Sequence, residues 1–160
     1  MNIVLRQAAF AGMVLLSAGS AVAGATVTYA SPDNFTDMPF PNWERERVLK
    51  ELSAHFDKLA TRLPPGQDLK VEILDVNLAG ELRPNFRGGQ DLRILKGGAD
   101  WPHMHLRYTI EQDGKVIKSG DEQLSDMNYL SQNSRAYNGD LLRYEKKMLD
   151  DWFKQALAAR

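Results

Sequence analysis

The chain is 160 residues long, with 20 Lys and Arg, 21 Asp and Glu, three His and no Cys, for a formal charge of −1. That balance gives no electrostatic footprint for nucleic acid or an anionic membrane surface. The absence of Cys excludes disulfides, thiol catalysis, thiolate metal sites and lipid attachment through an N-terminal cysteine.

In chain order, residues 1–23 carry Arg6, an apolar run from Ala8 to Leu16 and then small residues, the pattern of a secretory signal peptide. Ala21-Val22-Ala23 fits the small-x-small cleavage rule with a cut before Gly24; Ala23-Gly24-Ala25 fits it with a cut before Thr26, and the first is favoured. The apolar run is shorter than the ~20 residues of a spanning helix, so no membrane anchor is expected after cleavage. The cut leaves 137 residues with a formal charge of −2, since Arg6 is the only charged residue removed. That length suits one domain over 24–160. The leader looks bacterial, and the periplasm is the expected destination.

Ala25 to Tyr29 alternates and is rich in β-branched residues, which predicts a first strand. Ser31 to Pro41 holds three prolines and reads as loop. A helix is expected from Asn42, whose side chain would cap the free amides, with Val48, Leu49, Leu52, Phe56, Leu59, Ala60 and Leu63 forming one apolar stripe until Pro64-Pro65-Gly66 stops it. His55 flanks that stripe and reads as a partly buried helix histidine rather than a ligand.

Leu69 to Leu78 predicts a second strand with broken alternation: Val71 and Ile73 point one way, and Leu74, Val76 and Leu78 the other. A central strand covered on both faces, or a bulge near Asp75, would account for it. Asp75 is a suspect for catalysis if buried, but with no convergent partner it reads better as a structural acid. Gly80 to Gly98 is rich in Gly and Arg; it reads as a mobile loop with a short strand at Asp91 to Leu95 and an anion site on Arg83 or Arg87 as the lesser alternative.

From Pro102 the alternation is clear. Met104, Leu106, Tyr108 and Ile110 are apolar, while His103, His105, Arg107, Thr109 and Glu111 are polar, which predicts a strand with one face on the core and one open. Asp113-Gly114 supplies a tight hairpin turn, returning through Lys115 to Ser119. Counting back from that turn pairs Gln112 with Lys115, Ile110 with Ile117, Thr109 with Lys118 and His105 with Glu122. Ser125 to Leu130 reads as a capped turn of helix, and Asp140 as the cap of a final helix whose Leu141, Leu142, Glu145, Met148, Leu149, Trp152, Phe153 and Ala156 share one side. The order predicts an α+β domain: an antiparallel or mixed sheet of about four strands with two main helices packed on one face.

Several stretches, Asn34-Phe35-Thr36-Asp37, Leu63-Pro64-Pro65-Gly66-Gln67, Leu74 to Glu81, Asp100-Trp101-Pro102, Asp126-Met127-Asn128-Tyr129 and Tyr144 to Phe153, together resemble the bacterial domain-of-unknown-function family 3016 over nearly all of the chain after the leader. The resemblance implies a small exported protein and supplies no activity, cofactor or catalytic residue. A basic residue more often follows the Trp-Pro pair in that family's pattern, so His103 is a departure from it.

Two function classes follow. The first is a non-catalytic binding or interaction module of the cell envelope, meeting a protein partner on the face that carries Trp101, His103, His105 and Arg107, since aromatic and Arg residues are typical anchors. The alternative is a metal-dependent hydrolase or reversible metal-binding protein, with His103 and His105 as ligands and Glu122 or Asp126 as a third. No His-Glu-x-x-His, no Gly-x-Ser-x-Gly and no aspartate-rich calcium loop occurs, so no catalytic residue, metal ligand set or cofactor is assigned. Oligomeric state is left open.

Overall fold

The computed structural model describes residues 24–39, 41–83, 92–131 and 134–158. The expected leader and Arg87 lie outside the described residues. The elements are β1 Ala25–Tyr29, α1 Asn42–Ala60, β2 Gln67–Asn77, β3 Glu81–Arg83, β4 Leu92–Ile94, β5 His103–Gln112, β6 Lys115–Ser125 and α2 Arg143–Ala158. A mixed four-stranded sheet runs in the order β1-β2-β5-β6, with β1 parallel to β2 and the other pairs antiparallel.

Helix α1 forms where the stripe predicts it. Val48, Leu52, Phe56, Leu59 and Ala60 are buried against the sheet, and each large one contributes ~1.5–3 kcal/mol by leaving water. Its start differs from expectation. Asn42 does not cap the helix: Pro41 is the cap residue, its carbonyl accepts the Glu44 and Arg45 amides at 3.1 Å each, and the Asn42 side chain accepts from Arg45 instead. Proline fixes the entry angle without needing a side-chain cap.

The broken alternation of β2 is a bulge. Its register against β5 shifts between Ile73 and Asp75, so Leu74 is the extra residue and Val76 and Leu78 return to the face of Val71 and Ile73. All four are buried in one core with Met104, Leu106, Tyr108 and Ile110 of β5 and with Met148, Leu149, Trp152 and Phe153 of α2. Both helices therefore cover one face of the sheet, and among the described residues no element covers the other.

The hairpin turn is as read, with Asp113 at φ 52° and Gly114 at φ 75°. Strand β6 is longer than predicted, running to Ser125. Its pairing departs from the simple count after the second pair, because a second bulge intervenes between Ile110 and Glu111. Ile110 faces Lys118 rather than Ile117, Thr109 faces Ser119 rather than Lys118, and His105 faces Gln123 rather than Glu122.

The Gly- and Arg-rich stretch is not wholly a loop. Its short strand β4 pairs antiparallel with β3, a strand the sequence did not announce. Arg93 of β4 anchors this unit: its guanidinium forms a two-pronged contact with both carboxylate oxygens of fully buried Glu145 and also donates to the carbonyls of Ala79 and Leu141. Glu145 in turn accepts the Ala79 amide at 2.8 Å. Satisfying both ions this completely offsets the cost of burying them, and removing one partner alone would cost ~3–5 kcal/mol.

Candidate functional site

The open face is built from alternate residues of four strands. Thr26 and Thr28 come from β1, Lys70, Glu72, Asp75 and Asn77 from β2, His103, His105, Arg107 and Thr109 from β5, and Ser119, Asp121, Gln123 and Ser125 from β6. From Met104 to Ile110 the even residues of β5 are buried, while its odd ones are half-buried or exposed, which is the parity that places both histidines outward.

Across its centre runs a charged row. Arg107 Nε donates to Asp121 Oδ2 at 2.8 Å, Arg107 Nη1 lies 3.5 Å from Glu72 Oε2, and His105 Nε2 lies 2.6 Å from Asp121 Oδ1. Hydrogen bonds from Arg107 and His105 hold the Asp121 carboxyl below the usual carboxylate range. These groups are about half exposed, so the row contributes little to stability and mainly fixes the positions of Arg107 and His105.

His103 sits one step along, half-buried, with its ring centroid 5.4 Å from that of Trp101 and its buried Nδ1 without a hydrogen-bond partner among the described residues. A shallow recess of about 310 Å³ opens beside it, lined by Asp75, Asn77, His103, His105 and Gln123 among others. Asp75 is committed to structure. Its two oxygens accept the amide and hydroxyl of Thr36, both at 2.7 Å, tying the segment after β1 onto β2.

Trp101 is held by contacts that sequence spacing did not reveal. The preceding Asp100 accepts the Tyr129 hydroxyl and the Lys96 amide, both at 2.7 Å, and its carbonyl accepts the Gly80 amide at 2.8 Å. Burial and the Asp100 carboxylate push the Tyr129 hydroxyl up to about 12, so it remains a donor. Tyr129 packs edge-on against Tyr144, with centroids 4.9 Å apart. The Asp-Trp-Pro, Asp-Met-Asn-Tyr and Tyr-Glu-Lys-Lys stretches are thus brought together at one end of the sheet.

A family model described as a protein of unknown function, DUF3016, matches residues 23–155. The chain belongs to that family. No curated protein and no solved structure matches it. For this DUF3016 chain the structure brings together Trp101, His103, His105 and Arg107 as neighbours on the open face. It does not bring His103 and His105 together with the acids counted as third ligand: Glu122 lies opposite Leu106, on the core side of β6, and with Asp126 it lines a groove beside α2. Among the described residues no three His, Cys, Asp or Glu side chains are placed to hold a metal ion. Arg83, named for an anion site, is exposed and spends its guanidinium on Glu81 at 3.1 Å. No described helix is long and apolar enough to cross a membrane.

Proposed function

We propose that this chain is a non-catalytic binding module of the bacterial cell envelope that engages a protein partner through the open sheet face at Trp101, His103, His105 and Arg107. The observation that carries the reading is the asymmetry of the sheet: both helices cover one face, while the other holds an aromatic pair and an Arg pre-positioned by Asp121. Pre-positioned anchors lose little side-chain freedom on association. The expected leader supports export, and the family match beginning at residue 23 is consistent with a domain that starts where the leader ends. The helix-side placement of Glu122 and Asp126 leaves the two histidines without their third ligand, which favours a partner face over a hydrolytic centre.

Photo-crosslinkable residues at Trp101 or Arg107, introduced in cells producing the full chain, test this. A discrete adduct in the periplasmic fraction, lost when the crosslinker sits at exposed Thr61 instead, is expected. Equal adducts at both places, or accumulation of the protein in the cytoplasm with its leader intact, would contradict it.

A further inference from the structure

Strand β6 ends the sheet, and among the described residues nothing pairs with its outer edge. Which of its backbone groups are free follows from one hydrogen bond. The Asp126 amide donates to the Pro102 carbonyl at 3.2 Å, which makes that pair hydrogen-bonded; antiparallel pairs alternate, so Leu124, Glu122 and Gly120 turn their backbone groups toward β5. Ser119, Asp121, Gln123 and Ser125 therefore turn theirs outward, and all four are exposed. Along this stretch there is no proline, no lysine and no bulge; the inward-pointing charge of Glu122 is a blunting feature, and the bulge and Lys118 lie nearer the hairpin. The opposite edge, β1, has only five residues.

The same length of β6 forms one wall of a groove of about 520 Å³ whose other wall is α2. Tyr108, Glu122 and Asp126 line it from the sheet side, Asp151 and Trp152 from the helix. Its lining holds three acids and no basic side chain; Lys147 and Lys154 pair with Asp151 from the helix surface and Lys118 reaches the Ala156 carbonyl at one end, which leaves Glu122 without a paired lysine among the described residues. Trp152 is 6% exposed and its indole Nε1 has no acceptor among the described residues.

We propose that the outer edge of β6 takes up an extended segment of a partner protein as a fifth strand, with a basic side chain of that segment entering the groove toward Glu122, Asp126 and Asp151. Strand addition would satisfy the outward amides and carbonyls of Ser119, Asp121, Gln123 and Ser125, and alternate side chains of the segment would point into the groove. A second copy of the chain is the poorer occupant. Its stretch 119–125 carries Asp121 and Glu122 and no basic residue, so self-pairing would add negative charge beside an acid-lined groove rather than neutralise it. This surface uses backbone groups and the helix side of the sheet, so it goes beyond the Trp101 face and stands or falls separately from it.

The probe is a short end-blocked peptide alternating lysine and valine, titrated into the isotope-labelled protein and followed by amide resonances. Saturable shifts at Ser119, Asp121, Gln123, Ser125 and the Trp152 indole are expected. Binding should fall about tenfold or more for an alternating glutamate and valine peptide, for a lysine and valine peptide N-methylated at alternate residues, and for Glu122→Gln. Trp101→Ala should leave the titration unchanged, which separates this result from the open-face reading. Equal binding of the N-methylated peptide, no shift at those four amides, or a concentration-dependent dimer that perturbs the same amides without peptide would overturn the proposal.

Discussion

His55 faces the core from α1, and its surroundings decide its charge. It is 3% exposed, with Nε2 3.3 Å from Asp150 Oδ1 in a contact too poorly aligned to count as a hydrogen bond. Burial pushes its imidazole down to about 4; Asp150 opposes that shift, and Lys146 and Lys58 add to it. Tyr137 donates to the other Asp150 oxygen at 2.6 Å, Arg62 lies 3.5 Å from the first, and Asp140 accepts from Lys146 nearby. The folded chain thus takes up this proton near pH 4 and the unfolded chain near 6.5, so the stability from keeping His55 neutral is complete above 6.5 and is lost as pH falls through 4. At ~1.36 kcal/mol per unit the full effect is about 3 kcal/mol. Denaturant unfolding between pH 7 and 4 should show a shallower fall for His55→Gln than for the parent; equal slopes would mean that His55 is not held neutral. The sequence placed His55 beside the stripe, but its partner lies in the other helix, and no local pattern carries that pairing. Arg93 was equally hidden, since a Gly-rich stretch gives no sign that one of its arginines closes on a glutamate in α2.

At the scale of elements, what was legible depended on repetition. The stripe of α1, the alternation of β5 and the Asp113-Gly114 turn each repeat one physical rule several times, and each element stands where the residues put it. The bulge at Leu74 shows in the broken alternation of β2, but the one at Ile117 is a single insertion without such a mark, so face assignment survived in β5 while cross-strand partners beyond the turn did not. Strand β3, three residues long, owes its existence to pairing with β4 rather than to its own sequence. Register also explains Gly120, which sits opposite Tyr108 in β6. A Cβ there would come within 2.5 Å of the Tyr108 ring, which itself stands edge-on to Trp152 with centroids 5.2 Å apart. Gly120→Ala should therefore destabilise by ~1–3 kcal/mol through overpacking. Ser119→Ala, exposed on the open side, should stay within ~0.5 kcal/mol. Thermal or denaturant unfolding of the two variants checks this, and equal effects would contradict the register.

For the whole molecule, the consequence is a sheet with unlike faces. One face spends its apolar residues on two helices; the other, with charged and aromatic residues from β2, β5 and β6 and the braced Trp101, has no described element over it. The sequence predicted this division and the β5 residues on the open side, but it set Glu122 beside His105 where the register puts Gln123, and the bracing by Asp100, Tyr129 and Tyr144 required the fold to be seen. The most direct test of the open face as a binding surface is the affinity of the crosslinked partner, once identified, for the purified protein and for Trp101→Ala combined with Arg107→Ala. Loss of at least about tenfold in affinity with unchanged thermal stability is the predicted result. Unchanged affinity in the double variant would contradict the account.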